Sequence, residues 1–279
     1  MNQTQHALPL EAKSPFELRV NLGAGMAETD VRTALATGEM GFLHSFTTGS
    51  TVDGPGVRVV GWTTGCQFRC LYCHNPDTWN MSNGIPVALA RATEELRKYR
   101  QGLKVMSGGF TLSGGEPLMQ DRFVIKLLAA AKKMGIHTAL DTNGALGARL
   151  SDADLEHIDL VLLDLKSWSP ELHRRLTGME VGPVLDFALR LAARRIPIWV
   201  RFVLVPGLTD DAKNIAQISS FSAGLGNVQR VDVLPFHQMG RFKWKELNLN
   251  YTLEGVQPPV TEAVEHACAQ FRAVGLKAF

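Results

Sequence analysis

Strong net charge, basic blocks, long apolar runs and cysteine are all scarce in this chain. The formal net charge is +2 over 279 residues, and no block of five or more basic residues occurs. Electrostatics therefore makes no case for a nucleic-acid partner. No apolar run approaches the length that spans a bilayer, so no membrane-crossing helix is expected. The opening stretch MNQTQHALPLEAKSPFELRV lacks both a charged start and a long apolar core, which speaks against an export signal. A cytoplasmic location is expected, where thiols stay reduced. Repeats of solenoid period and low-complexity tracts are absent as well. Only four cysteines occur, and in a reducing compartment close spacing among them points to metal ligation or redox chemistry, not to disulfides.

The remaining composition is that of a globular protein. Hydrophobic residues make up 45% and charged residues 20%, enough apolar material for a substantial core, and one domain is the default at this length. Apolar strand-like runs alternate with amphipathic stretches from residue 57 onward: VRVVGWTT (57–64), GFTLSG (109–114), IHTALD (136–141), DLVLLDLK (159–166), IPIWVRFVLVP (196–206) and VQRVDVLPF (228–236). The segment DRFVIKLLAAAKKMG (121–135) starts on a capping Asp121, ends at Gly135 and sets Phe123, Leu127, Ala131 and Met134 on one face, which predicts a helix. Helical patterns also fit 87–101, 183–195, 210–222 and 260–274. A helix after most strands makes the connections βαβ crossovers and the sheet mostly parallel. Ligands then gather at the carboxyl ends of the strands. Those ends carry the cysteine loop, SGGEP (113–117), DTNG (141–144), Asp164 and Lys166, Arg201, and His237. The small, polar stretch GAGMAETDVRTALATGEMG, within the first forty or so residues, predicts an appended arm or a short helix.

Three of the four cysteines, Cys66, Cys70 and Cys73, fall in CQFRCLYC. That is one ligand short of a closed zinc site or iron–sulfur cluster. CLYCH also matches the haem-attachment pattern C-x-x-C-H, and its first four residues match a thioredoxin-like C-x-x-C. Haem attachment needs export, and a redox dithiol gives no reason for Cys66. A Cys₃His zinc site would ask the adjacent Cys73 and His74 to reach one tetrahedral ion together. Three thiolates at C-x-x-x-C-x-x-C spacing can instead hold three irons of a [4Fe–4S] cube and leave the fourth open to a small molecule, as catalytic zinc sites keep an open position. Cys268 fits the inward face of the last helix with Val264 and Phe271 and reads as a core thiol.

The cysteine motif resembles that of the radical S-adenosylmethionine (radical SAM) superfamily, and the resemblance implies a partial (β/α)₆ TIM-like barrel. It extends through HSFTTGSTVDGPGVR (44–58), CLYCHNPDTW, SGGEP, HTALDTNG, LLDLK, WVRFVLVPG, VLPFHQMGRFKW and GVQPP, about 235 of the 279 residues, to the pyruvate formate-lyase activating enzymes. Residues 44–279 are thus expected to form the radical SAM domain, and residues 1–43 an extension to which no activity is attached. The implied cofactors are a [4Fe–4S] cluster on Cys66, Cys70 and Cys73 and S-adenosylmethionine on its open iron. Cofactor contacts are implied for Tyr72, His74, Gly114, Gly115, Glu116, Asp141, Lys166 and His237. A monovalent cation is implied at Asp141, Thr142, Leu162 (through its carbonyl) and Asp164. Asp53 of TVDGPG and Arg201 are implied to meet the glycine-bearing loop of pyruvate formate-lyase, the protein substrate, and reduced flavodoxin is the implied electron donor.

Plainer readings stand beside these. SGG could be a tight turn, Asp141 and Lys166 could pair with each other, and Asp164 could sit in a simple salt bridge. An activase of another glycyl-radical enzyme is the alternative function, but those often carry a cysteine-rich insert, and no cysteine lies between Cys73 and Cys268. A non-catalytic metal-binding protein is the alternative from another class; it gives no reason for polar residues at successive strand ends.

Overall fold

Runs such as GFTLSG and LVLLD are apolar on both faces, and such runs pair as buried parallel strands. The computed structural model describes residues 28–279, and residues 1–27 of the expected arm lie outside the described residues. The chain runs through α1 (Glu28–Thr37), β1 (Met40–Ser50), β2 (Arg58–Thr63), β3 (Ile85–Ala88), α2 (Leu89–Val105), β4 (Gly109–Gly114), α3 (Asp121–Lys133), β5 (His137–Thr142), α4 (Asp152–Leu155) and β6 (Leu160–Asp164). It continues through α5 (Pro170–Thr177), α6 (Gly182–Ala193), β7 (Ile198–Leu204), α7 (Ala212–Leu225), β8 (Val228–Pro235), α8 (Arg241–Glu246) and α9 (Thr261–Ala273).

One sheet results, in the order β3-β1-β2-β4-β5-β6-β7-β8. The six expected strands, β2 and β4 to β8, are its parallel part, while β1 runs antiparallel to both β2 and β3. β3 and β8 stand at opposite ends of this order, which makes the architecture an open, partial barrel of the expected α/β class. The free side of β8 is paired by the chain's end: Val231 N donates to Lys277 O at 2.8 Å, and Val233 N to Phe279 O at 2.9 Å.

Two expectations need correction and several elements went unforeseen. Asp121 is the first residue of α3 and not its cap; the preceding Gln120 reaches back across the sheet, accepting from Phe42 N at 2.6 Å and donating to Phe42 O and Thr64 O. The helix expected from residue 87 begins at Leu89, because Val87 and Ala88 belong to β3, an edge strand that tolerates Pro86. β1 is polar toward its exposed end and shows no clean alternation, so it escaped the sequence pattern. It also contains residue 43, so the expected edge of the extension falls inside a strand. α1 abuts α3: Arg122 Nη1 donates to Ala36 O at 2.8 Å and Lys126 meets Glu39 at 2.5 Å.

The core sits between the sheet and its outer helices, with Phe110, Leu112, Leu140, Leu163, Val200 and Phe202 facing Phe123, Leu127, Phe187 and Phe271. Burying one such side chain contributes about 1.5–3 kcal/mol. Cys268 is 2% exposed among these residues. At the amino-terminal end of the strands Arg58 is wholly buried, donating to Phe110 O at 2.7 Å, to Thr111 Oγ1 at 3.0 Å and meeting His137 Nδ1 at 3.1 Å. Burial pulls its pKa down to about 10. The polar floor it makes ties β2, β4 and β5 together at the end away from the cysteines.

Candidate active site

β2 ends in a loop that cannot continue the strand, because Gly65 adopts φ +91°, a region that favours glycine. Gly65 N donates to Thr78 O and Cys66 N to Trp79 O, which folds residues 65–79 into a closed loop. Two elements invisible in the sequence pattern clamp it. The end of α5 receives Leu71 N on Leu176 O and Arg69 N on Thr177 O, and from α8 the indole of Trp244 donates to Cys73 O at 2.9 Å. Ser169 caps α5 and Gly178, at φ +79°, ends it.

Cys66, Cys70 and Cys73 all line a cavity of about 480 Å³ at the carboxyl ends of the strands. Burial pushes the Cys70 thiol up to about 12 and raises Cys66 and Cys73 as well, so these are neutral thiols that give up protons only when a metal claims the sulfur. His74 turns its ring edge-on to His237, with centroids 4.8 Å apart. Among the described residues, no three His, Cys, Asp or Glu groups converge as a single ion requires. Three thiols bordering one cavity suit a multi-iron body, whose sulfurs sit on separate irons.

SGGEP closes the cavity from β4. Gly114, at φ +131°, lies so near β2 that a Cβ would fall 2.2 Å from Thr63 N, and a Cβ on Gly115 would fall 2.5 Å from Gly65 O. Both glycines border the cavity, but Gly115 N is taken by Thr63 O and Glu116 N by Gly65 O. Glu116 is not on the wall. It is 0% exposed behind it, accepting from Leu118 N at 3.0 Å, Thr142 Oγ1 at 2.7 Å and Asn143 N at 2.8 Å. Its carboxylate therefore brackets the turns after β4 and β5, and burial pushes its pKa up to about 7 against those hydrogen bonds.

Asp141 does not pair with Lys166, whereas Asp164 sits in the simple salt bridge that the plainer reading offered. Asp141 accepts from Arg201 Nη1 at 2.9 Å and from Ser113 Oγ at 2.7 Å, because β5 and β7 flank β6 and bring both ends to one side. Arg201 also faces Asp53 Oδ1 at 3.7 Å. Asp141, ahead of the opposing effect of burial, holds the guanidinium well above its ordinary range. Lys166 pairs with Asp164 at 2.8 Å and stands 5.5 Å from the centre of the Tyr72 ring. Burial works against its charge, yet the paired Asp164 carboxylate outweighs it and raises its pKa. Each carboxylate of the expected cation site thus already faces a cation. Thr142 gives its hydroxyl to Glu116, and Leu162 is buried within β6.

Tyr72, His74, Asp141, Asp164, Lys166, Arg201, Asp53 and His237 do share the cavity wall. So do Ser113, Asn143 and Trp79, which lie inside motifs the sequence reading quoted but to which it gave no role. Two buried polar atoms on this wall, Tyr72 Oη and Arg201 Nε, have no hydrogen-bond partner. Such atoms are costly unless a ligand completes them. Three thiols, a tight glycine cradle and unpaired donors fit an iron–sulfur cluster carrying a polar, carboxylate-bearing cofactor.

Comparison with known proteins points the same way. Residues 60–218 match the radical SAM superfamily. The pyruvate formate-lyase 1-activating enzyme of Escherichia coli K12 is 42% identical over 228 residues, covering 81% of this chain and 93% of that one. The pyruvate formate-lyase-activating enzyme of Staphylococcus aureus USA300 is 42% identical over 244 residues, covering 85% and 96%. A crystal structure of a domain of such an enzyme from Bacteroides vulgatus superposes with a TM-score of 0.51 at 27% identity, covering 62% of this chain and 98% of that domain. With a clustered cysteine loop, an open parallel barrel and this degree of likeness over most of its length, the chain belongs to the pyruvate formate-lyase-activating enzymes of the radical SAM superfamily.

Proposed function

We propose that the cavity at the carboxyl ends of the strands activates pyruvate formate-lyase by removing one hydrogen atom from the α-carbon of a glycine in that protein. What carries the reading is convergence: in a chain of this family, the three cysteines and the polar ends of β4 to β8 border a single cavity. The family's cofactors, a [4Fe–4S] cluster and S-adenosylmethionine, would be held by Cys66, Cys70, Cys73 and the polar wall of this cavity and would supply the one-electron chemistry that removes the glycine hydrogen.

Cys66, Cys70 and Cys73 hold the cluster and must lose their protons to do so. Lys166 and Arg201 present fixed cations suited to a carboxylate, and Tyr72 Oη offers a hydrogen bond that the protein leaves unused. Asp141, kept in place by Ser113 and Arg201, retains acceptor sites for a ribose hydroxyl. Asp53, 3.7 Å from Arg201 on the cavity wall, is the residue we assign to the partner's glycine loop. The electron donor is a reduced flavodoxin or a carrier like it. No helix among the described residues is long and apolar enough to cross a membrane, and we assign the enzyme to the cytoplasm.

Anaerobic reconstitution tests the reading directly. Iron and sulfide should each reach about four per chain, and adding reductant, S-adenosylmethionine and pyruvate formate-lyase should produce a glycyl-radical signal in electron paramagnetic resonance. One zinc per chain, or a filled cluster that yields no radical on that partner, overturns it.

A further inference from the structure

Asn143 follows β5, is 5% exposed and borders the cavity beside Cys66. Its amide has only one orientation. Oδ1 is 3.1 Å from Ala145 N, and a backbone N–H can only donate, so the oxygen must face it. Gln67 Nε2 donates to the same oxygen, also at 3.1 Å. The Nδ2 donor is thereby turned to the cavity side, 4.0 Å from Cys66 Sγ, the outer limit of a hydrogen bond to sulfur. Glu116 holds the backbone as well, through Asn143 N at 2.8 Å. Neither the amide nor its backbone has freedom to turn away.

We infer that Asn143 Nδ2 donates to the sulfur of Cys66 and thereby sets how readily a cluster held there accepts its electron. The inference rests on the functional reading above. An electron added to the cluster increases the negative charge on its sulfurs, so a fixed donor at one sulfur stabilises the reduced form more than the oxidised form and raises the reduction potential. A buried site of low polarity strengthens the effect. Asn143 is a positioning and tuning residue here and takes no proton or bond in the reaction.

Reconstituted holoenzyme, titrated anaerobically with dithionite and followed by the paramagnetic signal of the reduced cluster, measures this without any turnover. Asn143→Asp keeps Oδ1 for Ala145 and Gln67 but replaces the donor with an anionic oxygen; Asn143→Ala removes the donor without adding charge. At a fixed solution potential the ratio of reduced to oxidised cluster should fall about tenfold in Asn143→Ala, a midpoint about 59 mV lower for one electron, and at least as far in Asn143→Asp. Wild-type protein labelled with nitrogen-15 in its asparagine side chains should show a coupling to the reduced cluster in pulsed resonance, and Asn143→Asp should lose it. Should Asn143→Ala lose iron, the Asn143→Asp midpoint and this coupling decide. Full iron and sulfide with an unchanged midpoint in the variants, or a coupling that survives in Asn143→Asp, overturns the inference alone. A wild-type protein that binds no cluster removes the functional reading and the inference with it.

Discussion

Arg201 joins two jobs that the sequence kept apart. Its guanidinium reaches Asp141, a residue expected at the cofactor, and Asp53, a residue expected at the partner's loop. Removing it leaves Asp141 buried with Ser113 as its remaining side-chain partner. Arg201→Ala should therefore weaken S-adenosylmethionine binding to an assembled cluster by about 1–3 kcal/mol, in addition to losing glycyl-radical formation on pyruvate formate-lyase. Calorimetric titration giving wild-type affinity would show that the Asp141 pairing does not matter to the cofactor. The cysteines divide more simply. Ala at position 66, 70 or 73 should abolish the cluster while leaving the circular-dichroism spectrum intact, whereas Cys268→Ala, which empties a small space in the core, should keep iron, sulfide and turnover at some cost in thermal midpoint. Retained cluster in Cys70→Ala would refute the ligand set.

At the scale of elements, the parts that hold the cysteine loop are the ones the sequence pattern hid. α5 and α8 are short and polar, with a single apolar face each, and their value lies in a few long-range bonds to Arg69, Leu71 and Cys73. Trp244→Phe preserves ring packing against Trp79 and Tyr251 and deletes the N–H given to Cys73 O. It should speed iron loss to a chelator, consistent with about 0.5–1.5 kcal/mol of lost restraint, with a correspondingly small drop in the urea midpoint of the protein. Equal rates of iron loss in the two proteins would mean that α8 does not restrain the loop. By contrast α3 was legible almost to the residue, since Phe123, Leu127 and Ala131 recur at helical spacing and all three are buried. β1 was not legible, because a strand whose outer half is exposed and polar has no apolar period to read.

For the molecule as a whole, stability should depend on pH at the end of the barrel opposite the cysteines. Burial first, and then the Arg58 cation 3.1 Å away, lower the His137 pKa below its ordinary 6.5, with Asp159 opposing. The unfolded chain then binds this proton more readily than the native protein. The contribution is complete above about pH 6.5 and is lost as pH falls through 6.5 and on past the lower native value. The buried His173 acts in the same direction. Urea midpoints should decline from pH 7 to 5, and His137→Gln should flatten that decline; an identical slope in the variant would mean that other groups carry it.

Local chemistry had already decided the strand count of the parallel sheet and the place of the metal loop. A fully buried parallel strand must be apolar along its length, so GFTLSG and LVLLD announce themselves, and the spacing of Cys66, Cys70 and Cys73 acts within one loop. Which charge meets which was decided only by folding. Asp141 and Arg201 are sixty residues apart in the chain, Glu116 turned inward because the hydroxyl and amide donors after β5 lay within reach, and Asn143 faces Cys66 because Ala145 and Gln67 hold its oxygen. Such pairings depend on strand order, register and barrel curvature, which set the distances between strand ends, and no stretch of sequence contains those distances.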